Sequence, residues 1–287
     1  MSPIIALMTD FGLSDTYVGT MKGVILCIAP GATIVDLTHG IGPQNLLEAS
    51  LKLASVVAYF PPETVYVVVV DPGVGSQRDA VIVETAIGRF VCPNNGVLTQ
   101  VLRTYPPLRV VRLTEKARPY CLPEISATFH GRDIFAPVGA HLAQGVPMET
   151  FGDPCASESL VTCDIPAVDV ASGPDGRIRL SVPILYPDHF GNLITALTVT
   201  QWLAWVEHSG RTAPDVERDV QISAGDMQWQ GIVRTYSDVA RGAPVAYWGS
   251  SHHLEIGIRE GNAVDTLHLR AGDSVTVTLY GLPGASP

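Results

Sequence analysis

The sequence predicts a mixed α/β chain in two parts: an N-terminal α/β sandwich with a mostly parallel sheet over residues 1–165, and a small all-β, barrel-like domain over residues 166–287. Strand-like and helix-like segments alternate through the first half, the pattern that gives a sheet with helices on its faces. At 287 residues the chain is long for one compact domain and comfortable for two. Beyond Phe151 the composition changes, and Ser172-Gly173-Pro174-Asp175-Gly176 is a strong turn signal followed by short β-rich runs.

Residues 4–8 read as the first strand and residues 17–27 as a helix, with Ser14 and Asp15 as candidate N-caps and Pro30-Gly31 as the stop. Residues 33–37 form the next strand. An amphipathic helix follows over 45–59, where Leu46, Leu47, Leu51, Ala54 and Ala58 recur at helical spacing before Pro61-Pro62 ends it. Strands are expected at 64–70, 80–84 and 90–92, and helices at 96–103 and 136–143. Residues 153–176 lack sustained periodicity and read as a linker. Beyond them, strands are expected at 177–185, 220–222, 244–248, 254–258 and 275–280, with residues 199–207 as the one helix.

Composition narrows the function classes. Hydrophobic residues make up 46% of the chain and charged residues 16%, the balance of a well-packed folded protein. The formal net charge of −10 disfavours a nucleic-acid surface, since binding phosphate backbones depends on Lys and Arg. A cationic or zwitterionic small molecule fits better. No apolar h-region follows a basic start, and no apolar stretch approaches the roughly 18 residues of a membrane span, so no membrane contact and a cytoplasmic location are expected. Cys27, Cys92, Cys121, Cys155 and Cys163 show no Cys-x-x-Cys spacing, so neither disulfides nor a zinc site is predicted and most should be small core residues.

Four clusters carry candidate chemistry. The β-branched run 64–70 reads as a strand buried on both faces, which puts Asp71 of Asp71-Pro72-Gly73-Val74-Gly75-Ser76-Gln77-Arg78 at its carboxyl end, where open α/β sheets bind ligands. As an isolated tripeptide Asp-Pro-Gly is equally an ordinary turn. Thr128-Phe129-His130-Gly131-Arg132-Asp133 reads as a loop entering a helix, with a histidine able to titrate near neutral pH. Asp10-Phe11-Gly12 follows the first strand. Asp188-His189-Phe190-Gly191-Asn192 packs an acid, an aromatic and an amide around a glycine. His252-His253 lacks a nearby third ligand and reads as a solvated turn rather than a metal site.

These clusters, with Val35-Asp36-Leu37-Thr38-His39, Pro93-Asn94-Asn95-Gly96 and Leu254-Glu255-Ile256, resemble in order and spacing the S-adenosyl-L-methionine hydroxide adenosyltransferase family, relatives of the enzymes that fluorinate or chlorinate the same substrate. The resemblance runs nearly end to end. It implies an α/β sandwich followed by a compact β-barrel, S-adenosyl-L-methionine as substrate with no further cofactor, adenosine and methionine as products, and a homotrimer whose sites are shared between subunits. By the same resemblance Asp71, Arg78 and His130 handle the attacking water. Asp10 resembles the acid that accepts both ribose hydroxyls, although a helix-cap role suits it as well. Phe129, Tyr236 and Phe190 supply aromatic faces, Asn192 an adenine edge, Asp188 a partner for the methionine ammonium, and Ser250 one for the carboxylate. Asp15 and the backbone around Ile258 and Glu260 complete the expected contacts. The related enzymes place an arginine just after the serine, whereas this chain has Ser251.

Hydrolysis is expected over halogenation, because the halogenating relatives do not keep the acid, arginine and histidine together and an anionic carboxylate opposes halide binding in the same space. Two other readings fit the residues alone. One is a different nucleoside-handling enzyme with the Gly73 to Gly75 loop as a phosphate nest, although no Walker-type lysine is there. The other is a non-catalytic module that binds S-adenosyl-L-methionine.

Overall fold

The computed structural model describes residues 2–172, 177–209 and 212–279, and the chain divides into two compact units, Met1–Asp164 and Ile165–Pro287. In the first unit, strands β1 (Ile4–Thr9), β2 (Thr33–Thr38), β3 (Val65–Val69), β4 (Ala80–Thr85), β5 (Gly88–Pro93), β6 (Arg109–Leu113) and β7 (Gly152–Pro154) form a seven-stranded sheet in the order β2-β1-β3-β5-β4-β6-β7. The neighbours β2, β1, β3 and β5 are parallel, and antiparallel pairing begins at β4.

Strand alternation sorts the core into two layers. Ile5, Leu7, Val65, Val67, Val69 and Val91 face one layer, which contains Met21 and Ile25 of α1 (Tyr17–Ile28) and Val138 and Leu142 of a later helix (Ala136–Ala143). Ala6, Met8, Tyr66, Val68, Phe90 and Cys92 face the other, against Ala49 and Leu53 of α2 (Leu46–Val56) and Val101 of α3 (Thr99–Thr104). With both faces covered, β3 is apolar throughout rather than alternating.

Several expectations need correction. The α1 cap is Thr16, which makes no side-chain cap bond, and Ser14 and Asp15 lie on the exposed turn before it. Helix α3 starts at Thr99 rather than Gly96, because Gly96 has φ +97° and a Cβ there would stand 2.7 Å from the Cys163 nitrogen. Strands β6 and β7 were not expected. Of the cysteines only Cys92 is buried, and Cys27 is exposed.

The second unit contains β8 (Asp169–Ser172), β9 (Ile178–Pro187), β10 (Leu193–Thr198), β11 (Gln221–Ala224), β12 (Met227–Gln230), β13 (Pro244–Trp248), β14 (His253–Ile258) and β15 (Ser274–Leu279). They run antiparallel in the order β12-β11-β15-β9-β10-β14-β13, with β8 on β9. The Val233–Tyr247 bridge, with Val233 N–H donating to the Ala246 carbonyl at 2.8 Å, brings the two ends of this path almost to closure around a core centred on the fully buried Trp202. β8 lies inside the expected linker, and residues 173–176 and Tyr280 fall outside the described residues. Beside the expected helix, here Val199–Ser209, two short ones occur at Ala213–Asp219 and Ala263–Leu267. His253 begins β14 with its Nδ1 2.7 Å from the Thr195 carbonyl, so it is strand-bound rather than part of a solvated turn. Among the described residues no helix is long and apolar enough to cross a membrane.

Candidate active site

Parallel β1 and β3 deliver their carboxyl ends to one sheet edge, with Asp10 just past the first and Asp71 just past the second. Both ends are pinned. Thr9 Oγ1 and His39 Nδ1 lie 2.8 Å apart, and Asn95 Nδ2 donates to the Val70 carbonyl at 2.8 Å. Two of the family-like segments, those holding His39 and Asn95, therefore fasten strand ends.

The turn after Asp71 folds back on itself through Val74 N–H to the Asp71 carbonyl and Ser76 N–H to the Gly73 carbonyl. Gly75 has φ +76°, and a Cβ there would stand 2.5 Å from the Ala127 carbonyl oxygen. Only glycine accommodates both. The turn returns Arg78 onto Asp71: Nε donates to Oδ1 at 2.9 Å and to Oδ2 at 3.0 Å, and Nη2 makes a short bond to Oδ2. A largely buried ion pair of this kind adds little net stability, since desolvating both charges offsets their attraction. Its fork geometry fixes the guanidinium plane, and the Phe135 ring backs that plane 5.2 Å away.

Arg78 Nη2 also lies 2.9 Å from His130 Nδ1. Guanidinium has only donors, so Nδ1 accepts and the ring proton sits on Nε2. Burial and the Arg78 charge hold the His130 pKa below its ordinary value, partly countered by Asp71, Asp133 and a hydrogen bond to the Ser126 backbone. His130 opens a π-helical turn, Gly131–Phe135, that runs into α4 (Ala136–Ala143). Fully buried Asp133 ties this turn down, accepting from Ser126 N–H at 2.8 Å and from Arg132 Nε at 2.5 Å. Burial pushes the Asp133 carboxyl up, but these bonds outweigh it and hold it below the usual range.

A cavity of about 300 Å³ lies over this edge, walled by Asp10, Phe11, Tyr17, Gln44, Val69, Asp71, Val74, Thr128, Phe129, His130 and Gly131. A second cavity of about 290 Å³ takes in Arg78 and the other side of His130. Phe11, Tyr17 and Phe129 meet edge to face with centroids 5.2 to 5.9 Å apart. Asp10 Oδ2 accepts from Gln44 N–H at 2.8 Å, which leaves Oδ1 for a ligand.

The barrel unit carries its own cluster. Asp188 Oδ1 accepts from the backbone N–H groups of Phe190 and Asn192, each at 2.8 Å, and Oδ2 accepts from Asn192 Nδ2 at 2.8 Å. Asp188 thus builds the turn that orients Asn192. The Tyr236 hydroxyl bonds that of Tyr247, which donates to Glu255 Oε2 at 2.6 Å. Phe190 is 74% exposed, with its ring edge to face against that of His189 at 5.5 Å.

The two units match sequence profiles described as the SAM hydroxide adenosyltransferase N-terminal domain, over residues 5–152, and C-terminal domain, over residues 182–276. The chain belongs to the SAM hydroxide adenosyltransferase family. Within that family, an (R)-S-adenosyl-L-methionine hydrolase of Thermus thermophilus is 39% identical over 95% of this chain and 98% of its own. A fluorinase of an Actinoplanes species is 29% identical over 96% of this chain and 98% of its own. A crystal structure of an uncharacterized conserved protein from Thermotoga maritima superposes with a TM-score of 0.82 at 33% identity, over 95% of this chain and 99% of that one.

Of the residues singled out by the family resemblance, Asp10, Asp71, Phe129 and His130 share one cavity wall, and Arg78 joins them through Asp71 and His130. Asp188 and Asn192 form one cluster in the barrel unit with Tyr236 beside it, where burial raises the Tyr236 pKa and its hydrogen bond with the Tyr247 hydroxyl partly offsets the rise. Asp15 is exposed and does not line the cavity. Ser250, in the exposed turn after β13, lies at the opposite end of β14 from Ile258 and Glu260, and Glu260 faces Arg241 at 3.0 Å. Tyr17 and Gln44 escaped sequence reading. Tyr17 read as the first residue of a helix, and Gln44 contributes only a backbone N–H. Among the described residues no group of three or more His, Cys, Asp or Glu side chains could hold a metal ion.

Proposed function

We propose that this chain hydrolyses S-adenosyl-L-methionine to adenosine and L-methionine, with no cofactor beyond the substrate. The observation that carries this reading is the Asp71–Arg78–His130 constellation at the wall of the Asp10/Phe129 cavity, in a chain of this family. Water attacks the ribose C5′, the C5′–S bond breaks with its electron pair passing to sulfur, and one water proton is released. A sulfonium leaves as a neutral thioether without needing an acid, so the protein's task is to align one water in line with that bond and exclude the rest.

Asp71 and His130 border the cavity and are assigned to the water. Arg78 fixes both and lends its positive charge to developing hydroxide. His130 holds or takes the released proton, which requires its Nδ1 to give up the Arg78 bond. Asp10 Oδ1 receives ribose hydroxyls, Phe129 the sugar face, Asn192 and Tyr236 the base, and Asp188 and Ser250 the amino-acid end. We assign the assembly as a homotrimer with sites completed between subunits, in the cytoplasm. Incubation with S-adenosyl-L-methionine in oxygen-18 water tests the reaction: labelled adenosine plus methionine is expected, and unlabelled adenosine or no turnover overturns it. Added fluoride or chloride should give no halogenated nucleoside.

A further inference from the structure

Where β1 ends, the backbone leaves the sheet and must still hold Asp10 at the cavity wall. The β1–β2 register steps by one residue between the Leu7–Asp36 and Met8–Thr38 pairs, an irregularity that carries the next residues, Thr9 and His39, opposite each other. Both are buried, Thr9 completely and His39 to 4% exposure. A hydroxyl and an imidazole at that depth need hydrogen-bond partners. Thr9 Oγ1 and His39 Nδ1 supply one another at 2.8 Å. The same Oγ1 accepts from Phe11 N–H at 3.2 Å, which closes a side-chain turn around the single residue between them, Asp10. One residue further on, Gly12 N–H donates to the His39 carbonyl at 2.8 Å on a backbone of φ +67°. The ring is approached from behind as well. Its Nε2 stands 3.1 Å from Asp36 Oδ1, without the alignment of a hydrogen bond, and Asp36 Oδ2 accepts from Lys22 Nζ of α1 at 2.6 Å.

Neither Thr9 nor His39 lines the cavity, so whatever they contribute to a ligand passes through this turn. Asp10 is then held at two points. The turn fixes its backbone, and Gln44 N–H takes Oδ2 at 2.8 Å, which together aim Oδ1. We propose that His39 is a positioning residue for ribose recognition: by gripping the Thr9 hydroxyl it sets the direction of the Asp10 carboxylate, and with it the preference for a nucleoside that carries both ribose hydroxyls over one that lacks them. This rests on the assignment of the ribose hydroxyls to Asp10.

The test is calorimetric binding of adenosine and 2′,3′-dideoxyadenosine to wild-type protein, His39→Leu, Thr9→Val and Thr9→Ser, alongside turnover of S-adenosyl-L-methionine. Wild type should prefer adenosine by about tenfold or more, the scale of hydrogen bonds to a charged group. His39→Leu and Thr9→Val should each narrow that preference to about threefold, because a carboxylate turned off line loses its hydrogen bonds steeply. The loss should fall on adenosine, with dideoxyadenosine bound as before. Thr9→Val matches the shape of the original side chain and decides the matter should His39→Leu fail to fold, whereas Thr9→Ser keeps the hydroxyl and should keep the preference. On an Asp10→Ala background, Thr9→Val should change neither affinity further. A purely structural role would lower thermal stability and weaken both nucleosides alike. That result, a further loss on the Asp10→Ala background, or an undiminished preference in folded Thr9→Val overturns the inference while leaving the hydrolase reading intact. A wild type that does not distinguish the nucleosides would remove the ribose assignment and this inference with it. A preference that collapses in the variants of a protein without turnover would sink the hydrolase reading and support this one.

Discussion

His130 accepts a hydrogen bond at Nδ1 from Arg78 Nη2 over 2.9 Å, in a structure where the same guanidinium grips Asp71 through Nε and Nη2. Two side chains from separate loops are locked by one planar group, and removing Arg78 releases both. Arg78→Ala and His130→Ala should each lower kcat about a hundredfold or more, the usual scale for a positioned acid–base or electrostatic group. KM should change by only a few-fold, because both are assigned to the water. Asp71→Asn keeps the shape and should fall between these variants and wild type. Steady-state kinetics with near-normal rates in all three would refute the assignment.

The same contact predicts an acid limb. Burial and the Arg78 charge hold the folded His130 pKa below the ordinary 6.5, so the protonated ring is disfavoured and, once formed, cannot accept from Arg78. kcat/KM should fall as pH drops through a midpoint below 6.5, and this limb should vanish in His130→Gln. Stability follows the same sign. The unfolded chain binds the proton at a higher pH than the folded one, so this group's contribution is intact above about 6.5 and is lost as pH falls toward the folded value. Denaturant titrations across that window, on wild type and His130→Gln, check it.

Gly75 couples two loops sterically. Gly75→Ala would place a methyl 2.5 Å from the Ala127 carbonyl on a backbone of φ +76°, costing about 1–3 kcal/mol in strain. Because Ala127 lies three residues before His130, kcat should drop along with the melting temperature. A variant with wild-type melting and rate would show that the close approach is unimportant.

How much of this was readable in the sequence depends on what each residue does. The parallel half was legible because β1 and β3 carry long apolar runs that end in Asp10 and Asp71, and a buried strand announces its own carboxyl end. Strands β6 and β7 were missed because Arg109–Leu113 is short and half exposed and Gly152–Pro154 has almost no pattern. β8 hid in a Pro- and Gly-rich stretch, since its burial pattern is exposed throughout. Within the site, charged side chains in motifs were found. Gln44 was not, because its contribution is a backbone N–H, which every residue but proline possesses.

The homotrimer proposed above gives the last prediction. Asp10, Asp71, Arg78, Phe129 and His130 belong to the first compact unit and Asp188, Asn192, Tyr236 and Ser250 to the second, and the proposed assignment gives one substrate to both sets. If the α/β unit of one subunit and the barrel unit of its neighbour complete each site, a head-to-tail ring repeats that heterologous contact until it closes. Arg78→Ala and Asn192→Ala chains, each inactive alone, should then regain activity on mixing, because subunit exchange pairs some unmutated α/β units with unmutated barrel units. For random exchange in a trimer of equal parts, about a quarter of the sites would carry neither change. Recovery should therefore approach that fraction of wild-type activity, and sedimentation should show one species of three chains. A fully active monomer, or no recovery after mass spectrometry has proved exchange, would place each complete site within a single chain.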